Sequence, residues 1–315
     1  MISGFQIGHA SDARVRTGVS VILPDQPARA AVDVRGGGPG TRETDALGLG
    51  RLVERVHAVV LSGGSVYGLA AADAVCTALG ARGVGYDTGR PGVPVSPIVP
   101  AAILFDNANG GDKAWGSEPP YHTLGLAALD AVGRDASEGA VGAGTGATAG
   151  LYPGGFGVAT EATAHGSVTA LIAANPVGSP YLPGTDLPHA WSVERDGEFG
   201  GRRPGADYAW HEPQDTKLAM LSAAGQATVI GAVLTDAGLE RSDLHRLAVM
   251  AQSGLALAVQ PAHTPLDGDT IFALSVGEVP CIGPVALSRL GHGAARATAR
   301  ALTRGVLAAS SENRA

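Results

Sequence analysis

Aromatic side chains are scarce in this 315-residue sequence, where Phe, Trp and Tyr together make up 4%. Charged residues are also few, at 16%, whereas hydrophobic residues reach 45%. This composition is typical of a folded globular chain and excludes an intrinsically disordered one. The core must be built mostly from Ala, Val, Leu and Ile, and the 47 glycines and 20 prolines indicate many tight turns.

Cysteine is nearly absent. Cys76 and Cys281 both lie in apolar surroundings and neither belongs to a CxxC pair, so we expect buried free thiols in a reducing compartment. The N-terminus lacks a basic region followed by an apolar run, and no apolar stretch is long enough to span a bilayer. The sequence therefore predicts a soluble cytoplasmic protein with no membrane partner.

The chain also lacks a basic stripe. Its net charge is −7, whereas proteins that bind nucleic acid need clustered positive charge to neutralise phosphates. Arginines recur at helical spacing near the C-terminus, which is typical of a solvated helix face: Arg289, Arg296, Arg300 and Arg304. Nucleic acid is not expected as a partner.

Hydrophobic runs and turn signals predict strands and helices in irregular alternation. Strands are predicted at residues 18–23, 30–34, 56–61, 101–105, 167–174, 228–234 and 271–276. Helices are predicted at residues 66–79, 123–131, 243–259 and 293–307. The first two strands look like a hairpin, and residues 179–216 look like a long loop. Hairpins beside crossovers favour a mixed, layered α/β sandwich over a Rossmann sheet.

The glycine-rich run GAGTGATAG (residues 142–150) imitates a dinucleotide-binding fingerprint. That motif needs a strand directly before it and a helix directly after it. Here SEGA precedes the run and LYPGG follows it. We therefore predict backbone that closely lines a neighbouring strand or a substrate.

The segment DGDTIFALSVGE (residues 267–278) carries acids at positions 1, 3 and 12 of a would-be calcium loop. Phe272 stands where that loop needs glycine, which excludes an EF-hand. Three alternatives remain: an Asx-rich turn before a strand, a metal site of His263, Asp267 and Asp269, or a pair of carboxylates. Asp267 and Asp269 would share one face of an extended chain, so both would reach one small group.

Two further polar residues stand at strand ends. Asn175 opens the turn NPVG and is either a turn signal or an oxyanion donor. Thr228 heads the apolar run TVIGAVLTD and is either a β-branched strand start or a nucleophile. The second role requires the Ala227–Thr228 bond to break, because the freed α-amine, with a pKa of about 7.7–8.0, then serves as the base.

Taken together, the motifs resemble the DmpA-like self-processing aminopeptidases. This family includes L-aminopeptidase/D-esterases, β-peptidyl aminopeptidases and nylon-oligomer hydrolases. The resemblance covers nearly the whole chain, because the motifs follow the family's order: RGGGPGTRETD (35–45), SGGSVYGLAAAD (62–73), GDKAWGSEPPYH (111–122), GAGTGATAG (142–150), NPVG (175–178), ATVIGAVLTDAGL (227–239) and HTPLDGDTIFAL (263–274).

The resemblance implies a four-layer αββα sandwich of the N-terminal-nucleophile-like type. It further implies a single domain that cleaves itself between Ala227 and Thr228, giving an α chain of residues 1–227 and a β chain of residues 228–315. A homo-oligomer of such processed pairs is implied, acting as a hydrolase on small peptides, amides or esters. No cofactor or metal is implied.

The resemblance also assigns roles to individual residues. Thr228 occupies the position of the nucleophile, and Asn175 that of the family's N-P-V-G asparagine. Asp267 and Asp269 match the acids of the D-G-D motif. In the mechanism that we expect, Asn175 and backbone N–H groups hold the oxyanion. The two carboxylates orient the Thr228 amine and hydroxyl, or bind the terminal ammonium of the substrate.

The chain departs from the family pattern at two positions. Many relatives have asparagine where this chain has Ala227, although ornithine acetyltransferases cleave an Ala–Thr bond. Many relatives also follow the glycine-rich loop with a lysine, and here that position is Leu151, with Tyr152 next. Two alternatives to a hydrolase therefore stay open: an acyltransferase with the same threonine, or an unprocessed non-catalytic relative.

Overall fold

The structure is a computed structural model that describes residues 2–134, 136–219 and 227–312. Its strands are β1 (Phe5–Asp12), β2 (Thr17–Pro24), β3 (Ala28–Val34), β4 (Thr41–Arg42), β5 (Arg55–Val56), β6 (Val59–Ser62), β7 (Ala101–Ile103), β8 (Thr148–Ala149), β9 (Tyr152–Pro153), β10 (Gly155–Thr163), β11 (Gly166–Asn175), β12 (Thr228–Gly238) and β13 (Thr270–Pro280). Its α-helices are α1 (Ala70–Ala81), α2 (Tyr121–Asp130), α3 (Arg241–Ala258) and α4 (Gly283–Glu312).

Two sheets face each other in the middle of the molecule. One has five strands in the order β1-β2-β6-β7-β4, and the other has six in the order β10-β11-β12-β13-β3-β5. Helices α1 and α2 pack on the five-stranded sheet, and α3 and α4 pack on the six-stranded sheet. The result is the four-layer αββα sandwich that the family resemblance implied.

Each of the three spaces between layers holds its own apolar core. Phe5, Leu61, Ile230 and Phe272 belong to the core between the two sheets. Because both faces of the six-stranded sheet are covered, its central strands are apolar along most of their length instead of alternating. This explains the nearly continuous hydrophobic run of β12, whose residues Thr228 to Thr235 are all buried.

Helix α4 lies unusually close to strand β10. A Cβ atom on Gly157 would stand 1.9 Å from the carbonyl oxygen of Ala301, and a Cβ atom on Gly305 would stand 2.8 Å from the nitrogen of Gly157. These glycines let the helix backbone rest directly on the strand. No helix within the described ranges is long and apolar enough to cross a membrane.

The predicted hairpin of residues 18–23 and 30–34 is wrong. Strand β2 pairs with β1 and β6 in one sheet, while β3 pairs with β13 and β5 in the other. The short connection of residues 25–27 crosses from one layer to the next. The predicted strand 56–61 is likewise divided between β5 and β6, which belong to different sheets.

The polar segment 179–216 is a long loop, as predicted, with one 3-10 turn at His189–Val193. Several of its apolar side chains are nevertheless buried, among them Leu182, Leu187 and Ala190, and Ala190 belongs to the core next to α3 and α4. Both cysteines are free, but only Cys281 is buried, whereas Cys76 is partly exposed.

Of the four α4 arginines predicted to form a solvated face, Arg289 is exposed, but Arg300 and Arg304 are held by carboxylates. Arg300 is buried, and its guanidinium donates to Glu161 at 2.8 Å and to Glu198 at 3.0 Å. Arg304 pairs with Glu138 at 2.6 Å. Glu198 lies in the long loop, so this network fastens the loop to α4. Helical spacing alone does not distinguish a solvated arginine from one with a buried partner.

We predict that Arg300→Met destabilises the protein, because it leaves Glu161 and Glu198 buried with less positive charge. Removing one member of a buried ion pair costs about 3–5 kcal/mol. The free energy of unfolding from urea denaturation measures this effect. Arg289→Met is the matched control, since Arg289 is exposed on the same helix and should change stability by less than about 0.5 kcal/mol. Equal effects of the two substitutions would contradict the structural role of Arg300.

Candidate active site

Thr228 and Asn175 face each other across two central strands. Thr228 is the first residue of β12, Asn175 is the last residue of β11, and the two are register partners in the antiparallel ladder. The face of β12 that carries Thr228 also carries Ile230 and Ala232, which belong to the core between the sheets. Both polar residues therefore lie at the end of the inter-sheet core, and both are buried.

The carbonyl group before Thr228 is held by two donors. The Thr228 hydroxyl donates to the carbonyl oxygen of Ala227, and the N–H of Gly268 donates to the same oxygen at 3.1 Å. Gly268 must be a glycine for this approach, since a Cβ atom there would stand 2.8 Å from the Thr228 Oγ. The hydroxyl thus lies against the carbonyl group of the Ala227–Thr228 peptide bond.

The two acids of the DGD motif are buried on either side of this threonine. Asp269 accepts a hydrogen bond from the N–H of Val229 at 2.8 Å. Asp267 accepts one from the N–H of Val177 at 3.0 Å and another from the hydroxyl of Thr264 at 2.6 Å. The carboxylates therefore fix the backbone next to Thr228 and next to Asn175. Burial, and then the charge of Asp269, raise the pKa of Asp267.

His263 stands behind Asp269. Its Nδ1 lies 2.7 Å from Oδ2 of Asp269, and its Nε2 lies 3.3 Å from the carbonyl oxygen of Gln252. Both ring nitrogens face acceptors, an arrangement that suits the protonated imidazolium. Burial by itself lowers the pKa of His263, but the hydrogen bond and charge of Asp269 outweigh it, and the net shift is upward. Within the described ranges, no group of three His, Cys, Asp or Glu side chains is placed to hold a metal ion.

Both ends of the Asn175 side-chain amide are engaged in hydrogen bonds. Its Nδ2 donates to the carbonyl oxygen of Phe105 at 3.0 Å, and its Oδ1 accepts from the N–H of Thr148 at 3.0 Å. Thr148 belongs to the glycine-rich run 142–150, which leads into the short strand β8 instead of a helix. The run lines the site through Thr148 and has no Rossmann geometry. The amide of Asn175 holds neighbouring backbone in this state of the chain.

Sequence reasoning missed Lys217. Its Nζ donates to Oδ1 of Asn175 at 2.9 Å and to the carbonyl oxygen of the same residue at 3.0 Å. Burial lowers its pKa to about 7, against a smaller upward effect of the Asp267 charge. Leu151, at the position where relatives carry a lysine, is half exposed. The only sequence signal for Lys217 is an isolated lysine in a polar stretch, which gives no reason to expect burial.

A cleft of about 370 Å³ opens beside Thr228. Its walls come from the loop after β3, the turn before α1 and the end of β7, including Gly38, Pro39, Ser65, Val66 and Phe105. Polar and apolar groups both line it. The volume is at the small end of the range for ligand pockets, about 300–1,000 Å³. The cleft is large enough for a small substrate and too small for a folded protein.

Comparison with solved structures defines the class of protein. The chain superimposes on the L-aminopeptidase D-Ala-esterase/amidase of Ochrobactrum anthropi with a TM-score of 0.72, covering 98% of this chain and 85% of that one at 21% sequence identity. That structure is described as a variant of the Ntn-hydrolase fold. The present chain therefore has the Ntn-hydrolase-like fold.

The chain belongs to peptidase family S58, whose profile matches residues 2–314. It is 41% identical to an uncharacterized aminopeptidase of Mycobacterium tuberculosis, over 97% of this chain and 92% of the relative. It is 32% identical to the 6-aminohexanoate-oligomer endohydrolase of Kocuria sp., over 88% of this chain and 74% of that enzyme. The resemblance stated from the motifs is thus confirmed, and the chain is a hydrolase of this family.

We predict that the His263–Asp269 pair contributes a pH-dependent part of the stability. Because the pKa of His263 is raised in the folded protein, this contribution is fully present below the unfolded pKa of about 6.5. It is lost as the pH rises through the folded pKa. The unfolding midpoints of the wild type and His263→Gln should therefore differ most near pH 6 and converge toward pH 9. A difference that stays constant between these pH values would contradict the charged pair.

Proposed function

We propose that the chain is a self-processing N-terminal-threonine hydrolase. It cleaves its own Ala227–Thr228 bond and then removes N-terminal residues from small peptides, amides or esters. The main support for the proposal is that the Thr228 hydroxyl and the Gly268 N–H both donate hydrogen bonds to the carbonyl oxygen of Ala227. A nucleophile and an oxyanion donor therefore converge on one peptide bond.

In the cleavage step, the Thr228 Oγ attacks the carbonyl carbon of Ala227. The oxygen of that carbonyl takes up negative charge, which the Gly268 N–H stabilises as an oxyanion donor. The C–N bond then breaks, the hydroxyl proton ends on the Thr228 nitrogen, and an ester links Ala227 to the Thr228 Oγ. Water hydrolyses this ester, giving a carboxyl group on Ala227 and a free α-amine on Thr228.

In the mature enzyme, the same Oγ attacks a substrate carbonyl in the cleft. The α-amine of Thr228 accepts the hydroxyl proton and passes it to the leaving amine, while the acyl group stays on the Thr228 Oγ as an ester. Water then hydrolyses this ester, which releases the acid and restores the hydroxyl. Asp269 holds the Val229 N–H and Asp267 holds the Val177 N–H, so both carboxylates keep the nucleophile and its neighbour Asn175 in register. The side-chain amide of Asn175 donates to the carbonyl oxygen of Phe105 and accepts from the N–H of Thr148, which supports a positioning role for Asn175. We assign the oxyanion-donor role to the Gly268 N–H.

The substrate class is argued from the cleft and the relatives. A cleft of about 370 Å³ suits a short peptide or a small amide. The relatives named above are described as an uncharacterized aminopeptidase and a 6-aminohexanoate-oligomer endohydrolase, and both names describe cleavage of an amide bond. The homo-oligomer and the cytoplasmic location implied by the sequence stay predictions.

The acyltransferase alternative differs only in the acceptor. An acyltransferase passes the acyl group to an amine, whereas a hydrolase passes it to water. Membership of a peptidase family favours water. Release of free acid from a dipeptide amide without added amine supports the hydrolase, and turnover that needs an added amine supports the transferase.

We predict that the purified wild type appears as two chains, residues 1–227 and 228–315, when its intact mass is measured. Thr228→Ala should remain one chain, because it has no hydroxyl to attack Ala227. Thr228→Ser keeps a hydroxyl and should still be cleaved, which makes it the matched control. A wild type that stays near 31.4 kDa after long incubation would remove the proposed mechanism.

We predict that Gly268→Ala slows self-cleavage by about 100-fold, the scale of effect expected when reacting groups are displaced by about 1 Å. The added Cβ atom would meet the Thr228 Oγ at 2.8 Å and the Gly38 carbonyl oxygen at 2.7 Å, so the loop must move. The rate is followed by mass spectrometry after expression. Gly133→Ala serves as the control, since a Cβ atom there meets nothing within 4 Å. Equal processing rates for both variants would contradict the assigned role of Gly268.

A further inference from the structure

Lysine is rare in this chain. Lys113 and Lys217 are its two lysines, and the remaining basic side chains, apart from histidine, are arginines. Lys217 is buried at the start of a short 3-10 turn, Lys217–Ala219. An ammonium group is costly to bury unless it has partners, and within residues 2–134, 136–219 and 227–312 the hydrogen bonds of this one go to two oxygens of Asn175.

The backbone contacts that place the Lys217 segment are made with residues on the β11 side of the site. The N–H of Lys217 donates to the carbonyl oxygen of Val177 at 3.0 Å, and the N–H of Leu151 donates to the carbonyl oxygen of Asp215 at 3.0 Å. The Asp215 carboxylate also accepts from the Ser179 hydroxyl at 2.7 Å. These contacts lie on the β11 side of the site, so we expect the lysine to stay in place after cleavage.

The direction of the N–H groups along β12 indicates that the Thr228 nitrogen faces the carbonyl oxygen of Asn175, which also accepts from Lys217. Val229 directs its N–H toward β13, where it meets Asp269. Successive N–H groups of a strand point to opposite neighbours, so the Thr228 N–H points toward its register partner Asn175 on β11. The carbonyl oxygen of Asn175 therefore faces both the Thr228 nitrogen and the Lys217 Nζ.

We propose that Lys217 is a positioning residue whose positive charge keeps the freed α-amine of Thr228 unprotonated at neutral pH. This inference rests on the proposed self-cleavage, because the α-amine exists only after it. Two amines that share one carbonyl oxygen repel each other when both carry a proton. They titrate as a coupled pair, so the second proton is bound only at lower pH. A neutral α-amine is the form that accepts a proton from the Thr228 hydroxyl.

Other charged groups surround the amine pair, and none of them replaces Lys217. They are Asp267 and Asp269 in the loop before β13, His263 behind Asp269, Asp215 two residues before the lysine, and Asp106 beyond Phe105. The acids favour a protonated amine, whereas Lys217 opposes it. Burial lowers the pKa of Lys217 to about 7. The same burial acts on the α-amine of Thr228, whose ordinary pKa of about 7.7–8.0 is already below that of a lysine, so the first proton of the pair goes to Lys217.

The test compares the wild type with Lys217→Met, Lys217→Arg and the control Lys113→Met. The dependence of kcat/KM on pH is measured with a dipeptide amide and is normalised to the fraction of cleaved chain from intact mass. A second readout, independent of activity, is the rate at which cyanate carbamylates the Thr228 α-amine. Only the neutral amine reacts, and the mass of the β chain separates this signal from both lysines, which lie in the α chain.

In Lys217→Met the acid limb of the activity profile and the carbamylation midpoint should both move up by about one pH unit, toward the ordinary α-amine range. Activity should fall about five- to tenfold at pH 6.5–7 and match the wild type at pH 9. Lys217→Arg keeps a permanent charge and should leave both midpoints at or below those of the wild type. Lys113→Met should leave them unchanged.

Midpoints that do not move in cleaved Lys217→Met would overturn the inference, as would loss of activity at every pH in cleaved Lys217→Arg. If Lys217→Met is not cleaved, carbamylation of the wild type alone decides, because an α-amine midpoint at or above about 8 contradicts the proposal. Failure of the wild type itself to cleave would instead refute the proposed function, so the two failures are distinguishable.

Discussion

The register between β11 and β12 is the constraint on which the site depends. It places Asn175 opposite Thr228, and it is held by two cores that receive alternate residues of β12. Val229 and Val233 enter the core under α3 and α4, whereas Ile230 and Leu234 enter the core between the sheets. A slip of one residue would exchange these faces and turn Thr228 away from Gly268. Apolar packing therefore positions the threonine hydroxyl.

A polar site at the end of an apolar sandwich is stable only if its groups satisfy one another. The buried acids do so by accepting backbone N–H groups: Asp269 from Val229, and Asp267 from Val177. His263 and Lys217 supply the opposite charge. Removing one member would leave a buried group without its partner, which costs more than the bond itself contributes. The same contacts that stabilise this end of the fold thus hold the groups of the proposed reaction.

Much of the fold was predictable, because the long apolar run of β12 and the helical periodicity of α3 can be recognised from the local sequence alone. The αββα sandwich and the family followed from the order of the motifs. The pairing of β2 with β3 was predicted wrongly, since two strands separated by a short proline turn look like a hairpin whether they pair or cross between layers. The predicted solvation of Arg300 on α4 was wrong for a related reason: its partners, Glu161 and Glu198, lie more than 100 residues away in sequence.

The sequence by itself determined the class of protein, the strand that Thr228 heads, and the candidates Asn175, Asp267 and Asp269, because each of these has a local pattern or a motif. Only the tertiary structure decided which groups surround Thr228. Lys217 lies 42 residues from Asn175 in a segment without periodicity, and the Gly268 N–H has no side chain to mark it. Contacts of this kind arise from how the layers pack, and packing between distant segments leaves no regular spacing in the chain.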